Sequence, residues 1–292
     1  MNKNMKLRKK ILSSKLSIIT SVSLGLCFHS QAQTSVDTEL LLLVDVSGSV
    51  NTSEYNLMMG GYSEAFRSQA VVDSIQTGSL GSIAVSLVFW SGAAQQSTGV
   101  AWTKIDSLQS AIDFADAIDS VSSSRPYSAS TAVGSALTMG ATTFGTETGN
   151  TENGFSSAAQ VIDISGDGED NNTPITSPTG DRESSLQDSR DGAMASGVDM
   201  INGLTIGNAG GDLEGYYNTN VISGSSGGVA AFTQTAATFA DVETSLNTKL
   251  QREIEAGAKI GVVAVPEPST TALIGLAGML MILKRRKIRF KN

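Results

Sequence analysis

The chain has 292 residues, with 20 Lys and Arg against 28 Asp and Glu, and its formal net charge of −8 is unevenly spread. Residues 1–32 hold six basic residues and no acidic one, residues 284–292 hold six more, and the interval 33–283 keeps a net charge of −20. So acidic an interior repels phosphate backbones, which argues against a nucleic-acid partner and suits a solvated extracellular domain or one that attracts divalent cations.

Residues 1–32 read as a secretory signal peptide. A basic start precedes an apolar stretch from Leu16 to Phe28, and Ser30-Gln31-Ala32 puts small residues where a signal peptidase reads. The stretch is too short and too rich in Ser and Thr for a membrane anchor. Leu26 stands where a lipidated Cys27 would need a small residue. Cys27 and His29 are the only Cys and His of the chain. With this segment removed, a Ser-His-Asp triad, a cysteine nucleophile, the usual zinc sites and a disulfide framework are all excluded. Forty per cent apolar residues suffice for a core. A body of about 230 residues is most simply one domain.

Glu39 to Val44 (ELLLLV) is a continuous apolar run ending in Asp45, the pattern of a parallel strand buried on both faces. Asn51-Thr52-Ser53-Glu54 is a helix start, followed at helical spacing by Tyr55, Met58, Met59, Tyr62 and Phe66. Ser82 to Trp90 is a second strand. Asp106-Ser107 opens a helix with Leu108, Ala111, Ile112, Ala115 and Ile118 on one face. Residues 131–144 are rich in small residues and predicted helical. Residues 145–157 read as a surface loop, 159–164 as a strand, 184–196 as a helix and 198–206 as another strand. A second Gly-rich loop covers 207–228. A last helix over 239–256 carries Val242, Leu246, Leu250 and Ile254. Alternating strands and amphipathic helices predict an α/β fold of three layers, a doubly wound, mostly parallel sheet in a single domain.

The strongest chemical signal is Asp45-Val46-Ser47-Gly48-Ser49, directly after the first strand. One carboxylate and two hydroxyls at i, i+2 and i+4 form a hard, underfilled oxygen set, better suited to Mg²⁺ or Mn²⁺ than to Ca²⁺. Ser165-Gly166-Asp167-Gly168 makes a second such turn after the 159–164 strand, and a doubly wound sheet can bring Asp167 to the ion that Asp45 faces. Counted as an EF-hand loop from Asp167, position 6 is Asn172 instead of Gly and position 12 is Pro178 instead of Glu, so that reading fails. Glu169 and Asp170 read as solvated rim charges. Asp163 reads as a satisfied structural carboxylate, Trp90 and Trp102 as core aromatics, and Tyr216-Tyr217 as a candidate exposed pair for a partner.

Together, D-V-S-G-S at Asp45, T-A-V-G at Thr131 and S-G-D-G at Asp167 resemble, in order and spacing, the metal-ion-dependent adhesion site of von Willebrand factor A-type domains, over roughly residues 37–256. Trp90-Ser91-Gly92, Ala101-Trp102-Thr103 and the 161–168 segment look like a secreted bacterial subfamily of that class. The resemblance implies a Rossmann-like fold and a metal site. In it Ser47 and Ser49 ligate through hydroxyls, Asp45 and Asp167 act mainly through water, and Thr131 binds directly or through water. It also implies one position open to a partner's acidic side chain. The alternative for Thr131 is a helix N-cap, with Ser130 its rival if the register slips by one.

At the other end, Val265-Pro266-Glu267-Pro268-Ser269-Thr270, an apolar run from Thr271 to Leu283 and Lys284-Arg285-Arg286-Lys287 resemble the PEP-CTERM sorting signal of Gram-negative bacteria. That implies recognition by an exosortase, a transient anchor at the inner membrane, and release to the envelope or extracellular matrix, in systems that usually accompany exopolysaccharide. A simple tail anchor is the alternative.

The expected organisation is therefore a signal peptide over 1–32, an A-type domain over 33–262 and a sorting signal over 263–292. The expected function is that of a secreted, non-enzymatic module. It would use Mg²⁺ or Mn²⁺ to capture an acidic group of a protein or polysaccharide. The alternative is a structural matrix protein whose metal only tightens the fold.

Overall fold

The computed structural model describes residues 33–207 and 211–259. The expected signal peptide over 1–32 and sorting signal over 263–292, with its short transmembrane helix, lie outside those residues. In chain order the elements are β1 (Thr34–Ser35), β2 (Thr38–Asp45), α1 (Thr52–Arg67), α2 (Gln69–Gln76), β3 (Ile83–Trp90), β4 (Gln96–Ile105), α3 (Leu108–Ser122) and α4 (Val133–Ala141). A 3₁₀ turn over Thr142–Thr148 then leads to β5 (Phe155–Ser156), β6 (Gln160–Gly166), α5 (Arg182–Ser196), β7 (Met200–Ile206), α6 (Leu213–Asn220), β8 (Ser223–Ser226), β9 (Val229–Ala230), β10 (Thr233–Ala236) and α7 (Val242–Ala258).

The sheet runs β4-β3-β2-β6-β7-β8-β9, with β10 also pairing parallel to β7. The β3-β2-β6-β7 centre is parallel, and β4 closes one edge antiparallel. The apolar run of β2 is divided by its period of two. Leu40, Leu42 and Val44 join one core with α1, α2, α3 and α7, while Leu41 and Leu43 join another with α4, α5 and α6. All eight residues of β2 are buried, so both faces must be covered by helices. The chain leaves β2 toward β3 on one side and returns to β6 on the other. This reversal opens a crevice at the carboxyl ends of β2 and β6, where doubly wound sheets place their ligands.

The predicted helix starts hold for local reasons. The Asn51 side chain accepts from the Ser53 and Glu54 N–H groups, and Glu54 reaches back to the Asn51 N–H at 2.8 Å, a capping box at the start of α1. Ser107 caps α3 through the Ser110 N–H. Several elements escape the periodicity. In β4 only Val100 and Ile105 are buried, so an edge strand with one wet face offers no apolar run. The short α2 follows α1 after only Ser68. The segment read as a Gly-rich surface loop over 207–228 instead contains α6 and β8, and α6 buries Leu213 and Tyr217.

Asp163 is the structural carboxylate expected, and its partner is one the helix pattern concealed. Lys249 of α7 and Asp163 of β6 are both fully buried, with Lys249 Nζ 2.7 Å from Asp163 Oδ1. Glu253 pairs with the same ammonium and accepts from Asn202 Nδ2 at 2.8 Å. Burial, then the Asp163 charge, pushes the Glu253 carboxyl well above the usual range, against the pull of Lys249. Among the described residues no helix is long and apolar enough to cross a membrane.

Lys249→Met should therefore cost about 3–5 kcal/mol in urea unfolding, because it strands a buried anion. Lys249→Met combined with Asp163→Leu and Glu253→Gln should lose much less, since no charge is then left unpaired. Equal losses in the two proteins would mean that packing of the lysine stem, and not charge pairing, is what matters.

Candidate metal centre

Three segments build the site: the loops after β2 and β6, and the α3–α4 connection that carries Thr131 and is held by Ser91 at the end of β3. The β2–β6 register pairs Val44 with Ser165, which sets Asp45 beside the Gly166-Asp167 turn. From Asp45, a string of side-chain oxygens crosses the crevice. Ser47 N donates to Asp45 Oδ1 at 2.7 Å, and the Ser47 and Ser49 hydroxyls lie 3.1 Å apart. Ser49 donates to Asp167 Oδ1 at 2.6 Å, and Thr131 Oγ1 stands 3.4 Å from Ser47 Oγ. All five sequence-predicted residues are thus brought together. Ser49 is exposed at the mouth, whereas Asp45 and Ser47 are fully buried and Thr131 and Asp167 nearly so.

The Thr131 loop is positioned by groups outside that set. Fully buried Ser91, just after β3, accepts from the Ala129 N–H at 3.0 Å and donates to the Ser130 carbonyl at 3.2 Å. Asn171 Oδ1 accepts from the Thr131 N–H at 2.9 Å, and the Asn171 and Asn172 N–H groups donate to the Thr131 carbonyl. Thr131 is not the helix cap. Ala132 occupies the N-cap of α4, which leaves the threonine hydroxyl to the crevice, while Ser130 is exposed.

Asp170 is not the solvated rim charge expected. It is buried, and its carboxylate accepts from the Gly134, Asn172 and Thr173 N–H groups and from the Thr173 hydroxyl, tying the β6 loop to the start of α4. Glu169 is exposed, as expected. Nor is Tyr216-Tyr217 an exposed pair. Tyr217 is fully buried in the second core and Tyr216 is half-buried. Trp90 and Trp102 are packing aromatics as read, and Trp102 Nε1 donates to the Thr143 carbonyl beside Phe144. Asp170 is held by local bonds from Asn172 and Thr173, two and three residues on, and by the distant Gly134 N–H, whereas the burial of Tyr217 rests on tertiary packing that no local spacing marks.

Burial, then the Asp167 carboxylate, pushes the Asp45 pKa up to about 7, against the pull of the Ser47 N–H and hydroxyl. Asp45 Oδ2 is buried with no hydrogen-bond partner. Asp167 is also raised, by burial first, with the Ser49 hydroxyl opposing. None of the ion pairs among the described residues involves either carboxylate. A buried, unpaired, partly desolvated acid is the environment that a cation relieves. Neighbouring ligands of an octahedral ion at metal–oxygen distances of about 2.0–2.1 Å stand about 3 Å apart, close to the Ser47–Ser49 hydroxyl spacing. The set fits a small hard cation. Among the described residues no cluster of three or more His, Cys, Asp or Glu side chains gathers, so any ion held here rests largely on hydroxyls.

The model of the family described as protein of unknown function DUF1194 matches residues 35–258, and that of the PEP-CTERM protein-sorting motif matches residues 264–287. No curated protein matches the sequence. Proximal thread matrix protein 1 from the mussel byssus aligns at 17% identity and a TM-score of 0.50, over 78% of this chain and 49% of that one. The pilus adhesin SpaC of Lactobacillus rhamnosus GG aligns at 15% identity and 0.51, over 77% and 31%. The minor pilin PilB of Streptococcus sanguinis aligns at 12% identity and 0.50, over 81% and 64%. This chain thus spans about half of the thread protein, and less than two thirds of either pilus protein. At such identities the likeness establishes the fold alone, which is that of von Willebrand factor A-type domains.

The raised Asp45 pKa gives the metal-free protein a pH dependence of definite sign. An unfolded aspartate titrates near 3.8. Between about pH 4 and 7 the folded chain therefore keeps a proton that the unfolded chain has released, and stability falls as pH rises through that window. In the presence of chelator, wild type should lose on the order of 2–4 kcal/mol relative to Asp45→Asn between about pH 4 and pH 8. Urea unfolding at the two ends measures it; a difference that stays constant would mean that Asp45 titrates normally.

Proposed function

This chain belongs to the DUF1194 family, and from its site we propose that it is an exported, divalent-cation-dependent binding module that captures an acidic group on a protein or polysaccharide. The observation that carries the reading is the convergence of Asp45, Ser47, Ser49, Thr131 and Asp167 at the reversal point of the sheet, around a buried acid with one unpartnered oxygen. Ser47, Ser49 and Thr131 would hold Mg²⁺ or Mn²⁺ with neutral oxygens, and Asp45 and Asp167 would supply the compensating charge from behind. With so few direct charges on it, the bound cation supplies an electrophilic position that a carboxylate from outside completes.

Ser49 sets the mouth of the site because it is the exposed member, and the fixed Thr131 loop forms the facing wall. Export is supported by the sorting motif at residues 264–287, which implies handling by an exosortase. The name of the SpaC relative, a pilus adhesin, is in keeping with adhesion. We assign no turnover: beyond the two carboxylates, the crevice described here offers hydroxyls and no histidine or cysteine.

Titration calorimetry of the mature protein should give binding of Mn²⁺ and Mg²⁺ that Asp45→Ala abolishes and Ser49→Ala weakens by about tenfold or more, with the circular dichroism of the sheet unchanged. Beads bearing a polyuronate should retain wild type with Mg²⁺ and release it with chelator, while amidated beads should retain nothing. Metal binding without any metal-dependent retention would favour the matrix-protein reading. Absence of metal binding by wild type would remove the proposal.

A further inference from the structure

Tyr217 enters the centre of the molecule through room made by two glycines. A methyl group on Gly203 of β7 would come within 2.8 Å of the Tyr217 ring, and one on Gly166 of β6 within 2.4 Å of its hydroxyl. Glycine in the interior of a buried strand weakens it, and commonly marks a close approach. Here both close approaches are to the same side chain. The point at which the Gly166 methyl would sit is also 3.1 Å from Asp45 Oδ2 and 3.5 Å from Trp90 Cζ2, on the indole edge that carries Nε1.

Tyr217 and Asp45 are each fully buried, and Tyr217 Oη and Asp45 Oδ2 have no hydrogen-bond partner among the described residues. A phenylalanine would fill the same space without bringing a hydroxyl into a buried site, where an unpartnered one is costly. The two oxygens lie 2.4 and 3.1 Å from the same point beside Gly166, so they are at most about 5.5 Å apart, within reach of a single bridging water. Asp45 is already held at its other oxygen by the Ser47 N–H.

We infer that Tyr217 is a positioning residue of the metal centre: its hydroxyl donates to Asp45 Oδ2, directly or through one water, and with the Ser47 N–H fixes the carboxylate from both sides in its anionic form. This rests on the divalent-cation reading of the site. Outer partners of this kind typically change metal affinity 10–100-fold when removed. Asp212 anchors the helix that presents the tyrosine by accepting from the Gly215 N–H at 2.8 Å, so the hydroxyl is delivered by an ordered element.

The test is Mn²⁺ titration calorimetry on wild type, Tyr217→Phe, Tyr62→Phe and Gly166→Ala, with metal-free melting curves alongside. Tyr62 is the matched control, a fully buried tyrosine whose hydroxyl also lacks a hydrogen-bond partner among the described residues and feels the Asp163 charge instead of that of Asp45. Tyr217→Phe should raise the Kd for Mn²⁺ about tenfold or more while the metal-free melting temperature is kept, and Tyr62→Phe should leave the Kd within about twofold. Gly166→Ala should also raise the Kd, because its methyl displaces the hydroxyl. An unchanged Kd in Tyr217→Phe overturns the inference and leaves the metal reading standing, whatever the melting temperature does. Equal weakening in Tyr62→Phe overturns it too, since the effect would then be general loosening. If wild type itself binds no Mn²⁺, the metal reading and this inference fall together.

Discussion

Burial of the Asp45 carboxylate is the constraint around which the site is arranged. The strand it ends is covered by helices on both faces, so the acid is removed from water as a consequence of the fold, and it shares its surroundings with a second acid, Asp167. Charge withdrawn from solvent must be neutralised, hydrogen-bonded or paired. The protein gives Asp45 the Ser47 N–H, a string of hydroxyls and a nearby tyrosine, and among the described residues no ion pair involves it. An uncompensated acid of this kind is a reservoir of electrostatic energy that cation binding can draw on.

Asp45 and Asp163 both lie in the buried centre of the sheet, Asp45 at the end of β2 and Asp163 in the middle of β6. Asp163 is matched by the buried Lys249, which fastens α7 to the central strands. One carboxylate is paired with a buried ammonium and serves architecture; the other is left to the crevice. The difference lies in position along the strand. At mid-strand the acid is met by a side chain from a covering helix, whereas at the carboxyl end the loops after β2 and β6 and the α3–α4 connection converge on it.

Those loops are held more firmly than their composition suggests. Ser91, Asn171 and Asp170 pin the Thr131 segment and the start of α4 through backbone N–H and carbonyl groups. The three hydroxyls therefore stand at nearly the spacing of adjacent ligands through hydrogen bonds among themselves and with Asp167. Such preorganisation spares a bound ion the entropy of gathering its ligands from flexible loops.

The sequence by itself determined the parallel core and the five oxygen side chains of the crevice. A strand buried on both faces must be written as an unbroken apolar run, and its end, Asp45 to Ser49, lies within one turn. Helix starts such as Asn51–Glu54 were legible because a capping box is a contact between residues three apart. The tertiary structure alone decided β4, whose wet face erases its apolar signal, and α6, concealed in a Gly-rich stretch. It also decided the roles of Lys249, Asp170 and Tyr217. Each of these is polar by type and buried by circumstance. Each is brought beside a group far away in the chain: 86 residues separate Asp163 from Lys249, 36 separate Gly134 from Asp170 and 172 separate Asp45 from Tyr217. Local periodicity records which face of an element is apolar, but only packing brings a distant partner within reach of a polar group and so sets whether that group is solvated, paired or left waiting.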